Sequence, residues 1–353
     1  MTLKNIVAIY TTIFYILIKI LDFRGMIMKK CFKIISAMLT SLLVFNTACY
    51  ANSVKSINNN ESSGLIFTTE KNLTKSIKLS DDLTKPIFIE TENRSIETIA
   101  SYFDIEGYND SSIQEQECAE LRGYLVYEHG DKRIEPWFAE VGIEEGLFED
   151  DLENRAKSIN SSDDIYSDLN DAKASQWPIV DTYSQKVSYT EGVLGLAGKL
   201  YKGTGTKKIG EQDIIVEITP RSSTANKYAC AYYEPEIFLN NGKVIDYSPE
   251  NKSSTTSVTV SYPWGVSASF GLGGTTTINK TAGGVGYNNT KWKFTPTLNA
   301  GTKGLKGKAT CEFSSSISTL KSHISTNIRF KTTNNATGRS TYRTVNFGTS
   351  LTE

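Results

Sequence analysis

The sequence predicts an α+β protein in which an acidic, mainly helical N-terminal segment precedes an antiparallel all-β C-terminal domain, sandwich-like or an elongated sheet, with a long hairpin. Three observations predict it. Residues 52–180 carry 27 Asp and Glu against 12 Lys and Arg, a net of −15, whereas residues 181–353 carry 11 acids against 20 bases, a net of +9, although the whole chain nets −1. The hydrophobic period changes from helical to two at about Trp177-Pro178, where proline disfavours helix in the residue before it. Residues 257–272 then hold period two for sixteen positions.

At 353 residues, 39% hydrophobic and 10% aromatic, the chain has enough apolar material for a sizeable core. Residues 1–25 carry an apolar run over 6–21 and read as an upstream extension from an overcalled start. Residues 26–51 read as a secretory signal peptide: Lys29, Lys30 and Lys33 form a cationic start, 34–45 an apolar run, and Ala48-Cys49-Tyr50-Ala51 a small-residue exit. The run is shorter than the roughly 20 residues a spanning helix needs, so cleavage between Ala51 and Asn52 and secretion are expected.

The acidic part, 52–180, opens on a polar stretch to about Lys85. Ile96, Ile99, Ala100 and Phe103 fall at helical spacing after Ser95 and predict a short helix. A second helix is predicted over 112–127, with Ile113, Leu121 and Leu125 inward, and a third over 146–159, striped by Phe148, Leu152 and Ile159. The basic part, 181–353, begins with short runs at 186–189, 194–201, 213–219, 227–233 and 237–239, rich in Val, Ile and Tyr and separated by Gly, Asn and Pro. Asn240-Asn241-Gly242 reads as a tight turn.

In 257–272, Val258, Val260, Tyr262, Trp264, Val266, Ala268, Phe270 and Leu272 share one face, while Ser, Thr, Gly and Pro263 occupy the other. A Gly/Thr-rich link over 273–286 leads to 287–300, where Trp292, Phe294 and Leu298 alternate with Lys291, Lys293 and threonines. The simplest construction is a long hairpin with one apolar and one small-polar face. Further strands are expected at 309–317 and 324–331, with a polar, frayed tail after Thr333.

Catalytic machinery is hard to assemble. His129 and His323 are the two histidines, and neither is spaced as the base of a nucleophilic site. No HExxH, paired CxxC or P-loop pattern exists, so no cofactor, no metal and no enzymatic activity are expected. Glu191, Glu211, Asp213, Glu217, Glu234, Glu236, Asp246 and Glu250 are read as surface acids. Of the five cysteines, Cys230 and Cys311 fall in the basic part and could close one disulfide in an oxidising compartment; the alternative is that they and Cys118 are free buried thiols.

The functional expectation follows from charge and pattern. A strand that crosses a bilayer in a barrel needs about 9–11 residues with apolar side chains toward lipid and small polar ones toward the lumen. The membrane-contacting set is accordingly Val258, Val260, Tyr262, Trp264, Val266, Phe270, Leu272, Trp292 and Phe294. Lys291, Lys293, Lys303, Lys306 and Lys308 are the candidate anion-binding cations, for an anionic membrane or wall polymer rather than nucleic acid. In pattern alone, over 257–300, the hairpin resembles the stem segments of β-barrel toxins, and it carries no motif that transfers individual residues. The chain is expected to be a secreted bacteriocin or pore-forming toxin of Gram-positive type, able to self-associate. Its acidic segment contacts and neutralises the basic domain until release. An envelope-binding or adhesive protein holding anionic wall polymer is the alternative.

Overall fold

The computed structural model describes residues 65–70, 73, 85–91, 95–105, 116, 118–127, 132–158, 177–203, 208–222, 226–261, 267–334 and 340–353. All belong to the unit Asn60–Glu353; the leader, with Ala51 and Asn52, lies in Met1–Asn59, outside the described residues.

Two β-sheets carry the fold. The acidic half supplies β1 (Ile66–Thr69), β2 (Ile87–Glu90), β3 (Ala119–Tyr127) and β4 (Arg133–Glu140). From the boundary onward come β5 (Ile179–Tyr189), β6 (Gly192–Lys202), β7 (Ile209–Pro220), β8 (Asn226–Leu239), β9 (Gly242–Ser248), β10 (Lys252–Ser261), β11 (Ser267–Gly283), β12 (Asn289–Pro296), β13 (Leu305–Ser315), β14 (Lys321–Asn334) and β15 (Ser340–Thr352). The first sheet has nine strands in the order β1-β2-β3-β4-β5-β6-β7-β13-β9, and the second six in the order β10-β11-β12-β8-β14-β15. Most neighbours are antiparallel; β1 with β2 and β4 with β5 are parallel.

The two sheets face each other across one apolar core. Leu194, Leu196, Leu200, Ile214, Val216 and Ile218 of the first meet Tyr233, Ile237, Trp292, Phe294, Ile324 and Ile328 of the second. The antiparallel sandwich predicted for the basic half is therefore present. Two helices cover the acidic end of the first sheet. Helix α1 (Ile96–Phe103) forms where its spacing predicts: the Ser95 hydroxyl accepts from the Thr98 N–H at 3.2 Å, and Asp104, left-handed at φ 52°, stops it. Its Ile96, Ile99, Ala100 and Phe103 pack on Ile89, Tyr124, Val126 and Ile134. Helix α2 (Glu145–Ser158) lies on the opposite face, with Phe148 and Leu152 against Leu125 and Trp137.

The acidic half is less helical than predicted. The stretch read as a helix over 112–127 is strand β3 from Ala119 onward. Because α1 covers one face of β3 and α2 the other, Tyr124 to Tyr127 are all buried, and a doubly buried strand loses the alternation that distinguishes it from a helix. The tail expected to fray is β15, which pairs with β14 over thirteen consecutive registered pairs from Lys321↔Thr352 to Thr333↔Ser340. The buried positions described in it include the polar Thr349 beside Val345 and Leu351, which blurs the alternation in sequence. Asn240 and Asn241 join β8 to β9, strands of different sheets, so this turn crosses the sandwich and closes no hairpin.

The sheet runs through the 180/181 boundary. Trp137, Phe138 and Ala139 of β4 pair with Lys186, Val187 and Ser188 of β5, and Phe138 enters the sandwich core.

Candidate functional site

The sixteen-residue alternating run is not one strand. Its first part ends β10 and its second begins β11, joined through 262–266, with Ser261 paired to Ser267, Val260 to Ala268, Thr259 to Ser269, Val258 to Phe270 and Ser257 to Gly271. The stretch 273–283, expected as a link, continues β11. The hairpin is thus made of the run itself, and the return strand expected at 287–300 is instead its neighbour β12.

Folding the run back at this register preserves its two faces, because directly opposed residues in an antiparallel pair point the same way. Val258 and Val260 occupy one face and Ser257, Thr259, Ser269 and Gly271 the other. Val258, Val260 and Leu272 are completely buried in the sandwich core, while Ser257, Thr259, Ser269 and Gly271 are exposed, with the Thr259 and Ser269 hydroxyls 3.0 Å apart. Of the other predicted membrane contacts, Tyr262, Trp264 and Val266, and the side chain of Phe270, lie outside what is described.

The outer half of this hairpin is weakly held. Strand β12 pairs with β11 from Thr276↔Pro296 to Gly283↔Thr290, so Ser267–Gly271 has a ladder only with β10, itself an edge strand. Two register shifts separate the halves, between Lys252 and Thr255 and between Thr255 and Ser257. Beside them Ser254 is left-handed at φ 54°, and Gly273 on the facing strand has φ 75°. A Cβ on Gly273 would stand 2.0 Å from the Gly304 carbonyl oxygen, so only glycine fits. Bulges and left-handed residues on both strands at one level are where a β-ribbon bends.

Trp292 and Phe294, also expected to meet lipid, lie on β12 rather than on this hairpin. Both are fully buried on β12: the Trp292 indole donates to the Pro249 carbonyl at 2.9 Å, and Phe294 stacks on Tyr233 at 4.9 Å. β12 is laddered to β11 on one side and β8 on the other, which fixes them as core residues.

The five lysines expected to bind anions do not form one patch. Lys308 is buried, 3.5 Å from Asp213. Lys291 lies 3.7 Å from Glu234 and from Glu236, and Lys293 3.8 Å from Glu234. Lys303 is exposed and Lys306 half-buried. The Cys230–Cys311 disulfide is absent: both are free, buried thiols on strands of different sheets, and burial pushes both thiols up from their ordinary range.

Several acids read as surface groups are interior. On the face of the first sheet that carries α2, Glu135 pairs with Arg155 at 2.8 Å, Lys186 with Glu217, and Asp151 with Ser188 and, at 2.7 Å, with Arg221. Glu211 and Asp213 are fully buried, with the Lys308 ammonium beside Asp213. Burial, then the neighbouring Asp213 charge, pushes the Glu211 carboxyl well above its usual range. At the end of the sandwich, Arg343 of β15 donates to both Glu191 oxygens at 2.9 Å and to Glu140 of the acidic half. Charge counting signalled the excess of acid, but only pairing between distant strands shows where it sits. Among the described residues no three His, Cys, Asp or Glu side chains group to hold a metal.

No family model matches the chain, and no curated protein matches it. Among solved structures it is similar to one described as a pore forming protein, at 10% identity and TM-score 0.29, covering 50% of this chain and 94% of that one. It is similar to the delta-toxin of Clostridium perfringens, at 13% identity and TM-score 0.30 over 49% and 87%, and to the Clostridium perfringens NetB toxin in the membrane inserted form, at 8% identity and TM-score 0.25 over 48% and 92%. At these values the likeness carries no argument about this chain.

Proposed function

We propose that the chain is a secreted, non-enzymatic, membrane-active protein, a bacteriocin or pore-forming toxin, whose β10–β11 hairpin leaves the sandwich and enters a target bilayer as part of a self-assembled barrel. The observation that supports this reading is the outer half of the hairpin: its apolar and small-polar faces are in register across both strands, and no third strand holds it. In the sandwich Val258, Val260 and Leu272 bury against the core, and in a barrel wall the same face would meet lipid while Ser257, Thr259 and Ser269 line water. The exchange replaces one apolar environment with another.

In this reading the acidic half is a partner of the basic one that cleavage alone does not free. A cut near Trp177–Asp181 leaves the β4–β5 pairing, the Asp151–Arg221 pair and the Arg343–Glu140 pair still to be broken. Separation then needs a competing anionic surface, which the basic half, with its net of +9, would seek. Secretion rests on the leader pattern of residues 26–51.

The test is dye release from vesicles containing phosphatidylglycerol, combined with an environment-sensitive fluorophore placed singly at 257, 258, 259 and 260. Leakage should occur, and emission should shift to the blue at 258 and 260 but not at 257 and 259. Intact vesicles, or shifts without alternation, would sink the reading.

A further inference from the structure

The outer face of the second sheet, which the hairpin reading leaves unused, carries a row of cations and rings that crosses its strands. The Lys293 ammonium of β12 lies 3.7 Å from the centre of the Tyr232 ring on β8. The Arg329 guanidinium of β14 is 5.8 Å from the same ring and 4.2 Å from the Tyr342 ring on β15. Lys331, two residues beyond Arg329 and so on the same face, is registered opposite Tyr342. Tyr342 is 52% exposed, and Tyr232, Lys293, Arg329 and Lys331 are each half-buried. Glu234 is the acid beside them, and it faces Lys293.

The informative member is Arg329. Elsewhere on these sheets half-buried arginines meet carboxylates, as Arg221 meets Asp151 and Arg343 meets Glu191. Arg329 instead has two tyrosine rings, and among the described residues no carboxylate pairs with it. Cation–π contact fixes a guanidinium for about 0.5–1 kcal/mol at such exposure but uses none of its five N–H donors. A planar donor fork held in place with no acceptor among the described residues is shaped for a carboxylate, sulfate or phosphate oxygen pair from outside.

Two features choose among the carriers of such a group. Tyr342, half exposed on the edge strand β15, offers an aromatic surface beside Arg329 against which a sugar ring can lie, whereas the Tyr232 ring is covered by the Lys293 ammonium. The row also continues across four adjacent strands, from Lys293 to Tyr342, which suits a chain of repeating units better than a single headgroup. We propose that this face binds an anionic polysaccharide laid across β12, β8, β14 and β15, with a charged substituent on Arg329 and a sugar ring on Tyr342. It stands independently of hairpin insertion, because what it predicts is saccharide binding rather than leakage.

The experiment is titration of the full chain with a heparin-derived hexasaccharide and with its desulfated counterpart. Binding of the sulfated form is expected, weakening as salt rises, with the desulfated form weaker by about tenfold or more. Arg329→Gln should weaken binding by about tenfold or more and Arg329→Lys by less, since lysine keeps the charge but loses the fork. Tyr342→Ala should weaken it several-fold with the melting temperature unchanged, which keeps the test open if an Arg329 variant does not fold. Failure of the sulfated hexasaccharide to bind, or wild-type binding by Tyr342→Ala, overturns the proposal. So does loss by Arg329→Gln of phosphatidylglycerol-vesicle binding with saccharide binding intact, an outcome that would assign the face to lipid headgroups.

Discussion

The second sheet ends in two antiparallel hairpins, β10–β11 at one edge and β14–β15 at the other, and they are built in opposite ways. The β14–β15 ladder runs through thirteen pairs without a shift, and β14 is paired along its other side with β8. Its outer strand is tied down at both ends: Arg343 reaches Glu140 and Glu191, the Thr352 N–H donates to Asp181 at 2.9 Å, and Glu353 pairs with Lys202. The β10–β11 ladder has seven pairs interrupted by two shifts, and its outer half has no third strand. Apart from one bond, the Ser248 hydroxyl of β9 donating to the Thr259 carbonyl at 3.3 Å, what holds that half to the sandwich is the burial of Val258, Val260 and Leu272, a non-directional interaction that another apolar medium could replace. Directional ties resist a change of surroundings, and apolar burial permits one.

Gly273→Ala should have the largest effect on this contrast. The new Cβ must avoid the Gly304 carbonyl from a left-handed backbone, at a cost of about 2–4 kcal/mol. The loss should fall on one hairpin: limited proteolysis is expected to cut within 262–266 faster while β14–β15 stays protected. Equal loss of protection at both edges would mean that the two hairpins are not energetically separate.

Arg343→Ala probes the tied hairpin, with an expected loss of about 1–3 kcal/mol in urea denaturation. Burial alone would raise the Glu140 carboxyl, but the Arg343 and Thr190 bonds outweigh it and hold the group below its ordinary 4.5. A depressed acid contributes stability that is complete above its unfolded value and lost as pH falls through its folded one. The gap between wild type and variant should therefore be constant near neutrality and shrink below about pH 4.5. A gap that stayed constant down to pH 3 would exclude the Glu140 pair as its source.

Ser254→Gly should give the smallest change, a gain of up to about 1 kcal/mol from relief of the left-handed serine at φ 54°. Hydrogen exchange in β10 should slow or stay level. Faster exchange there would show that the serine stiffens the bend.

The two hairpins also differ in how far the sequence announces them. The run from Val258 to Leu272 declares its two faces because each is chemically uniform, yet the fold-back at 262–266 was visible only as the misfit of Pro263. β15 went unread because its buried positions include Thr349 beside Val345 and Leu351, and its stability comes from a partner strand rather than from its own pattern. Trp292 and Phe294 show a different limit of pattern. Their alternation with Lys291 and Lys293 is that of a half-buried strand, and alternation does not say whether core or lipid lies on the apolar side.

By itself the sequence determined the acidic and basic division, helix α1 with its Ser95 cap, the β character of the basic half and the two-faced run, because each is a local pattern of spacing or composition. Only the tertiary structure decided that the acidic half enters the same sheet as the basic one, that Glu211, Asp213 and Lys308 are interior, that Cys230 and Cys311 stay unlinked, and that Arg329 lies between two tyrosines. Those outcomes depend on which strands become neighbours and at what register. Register is set by packing between segments far apart in the chain, which no local window contains.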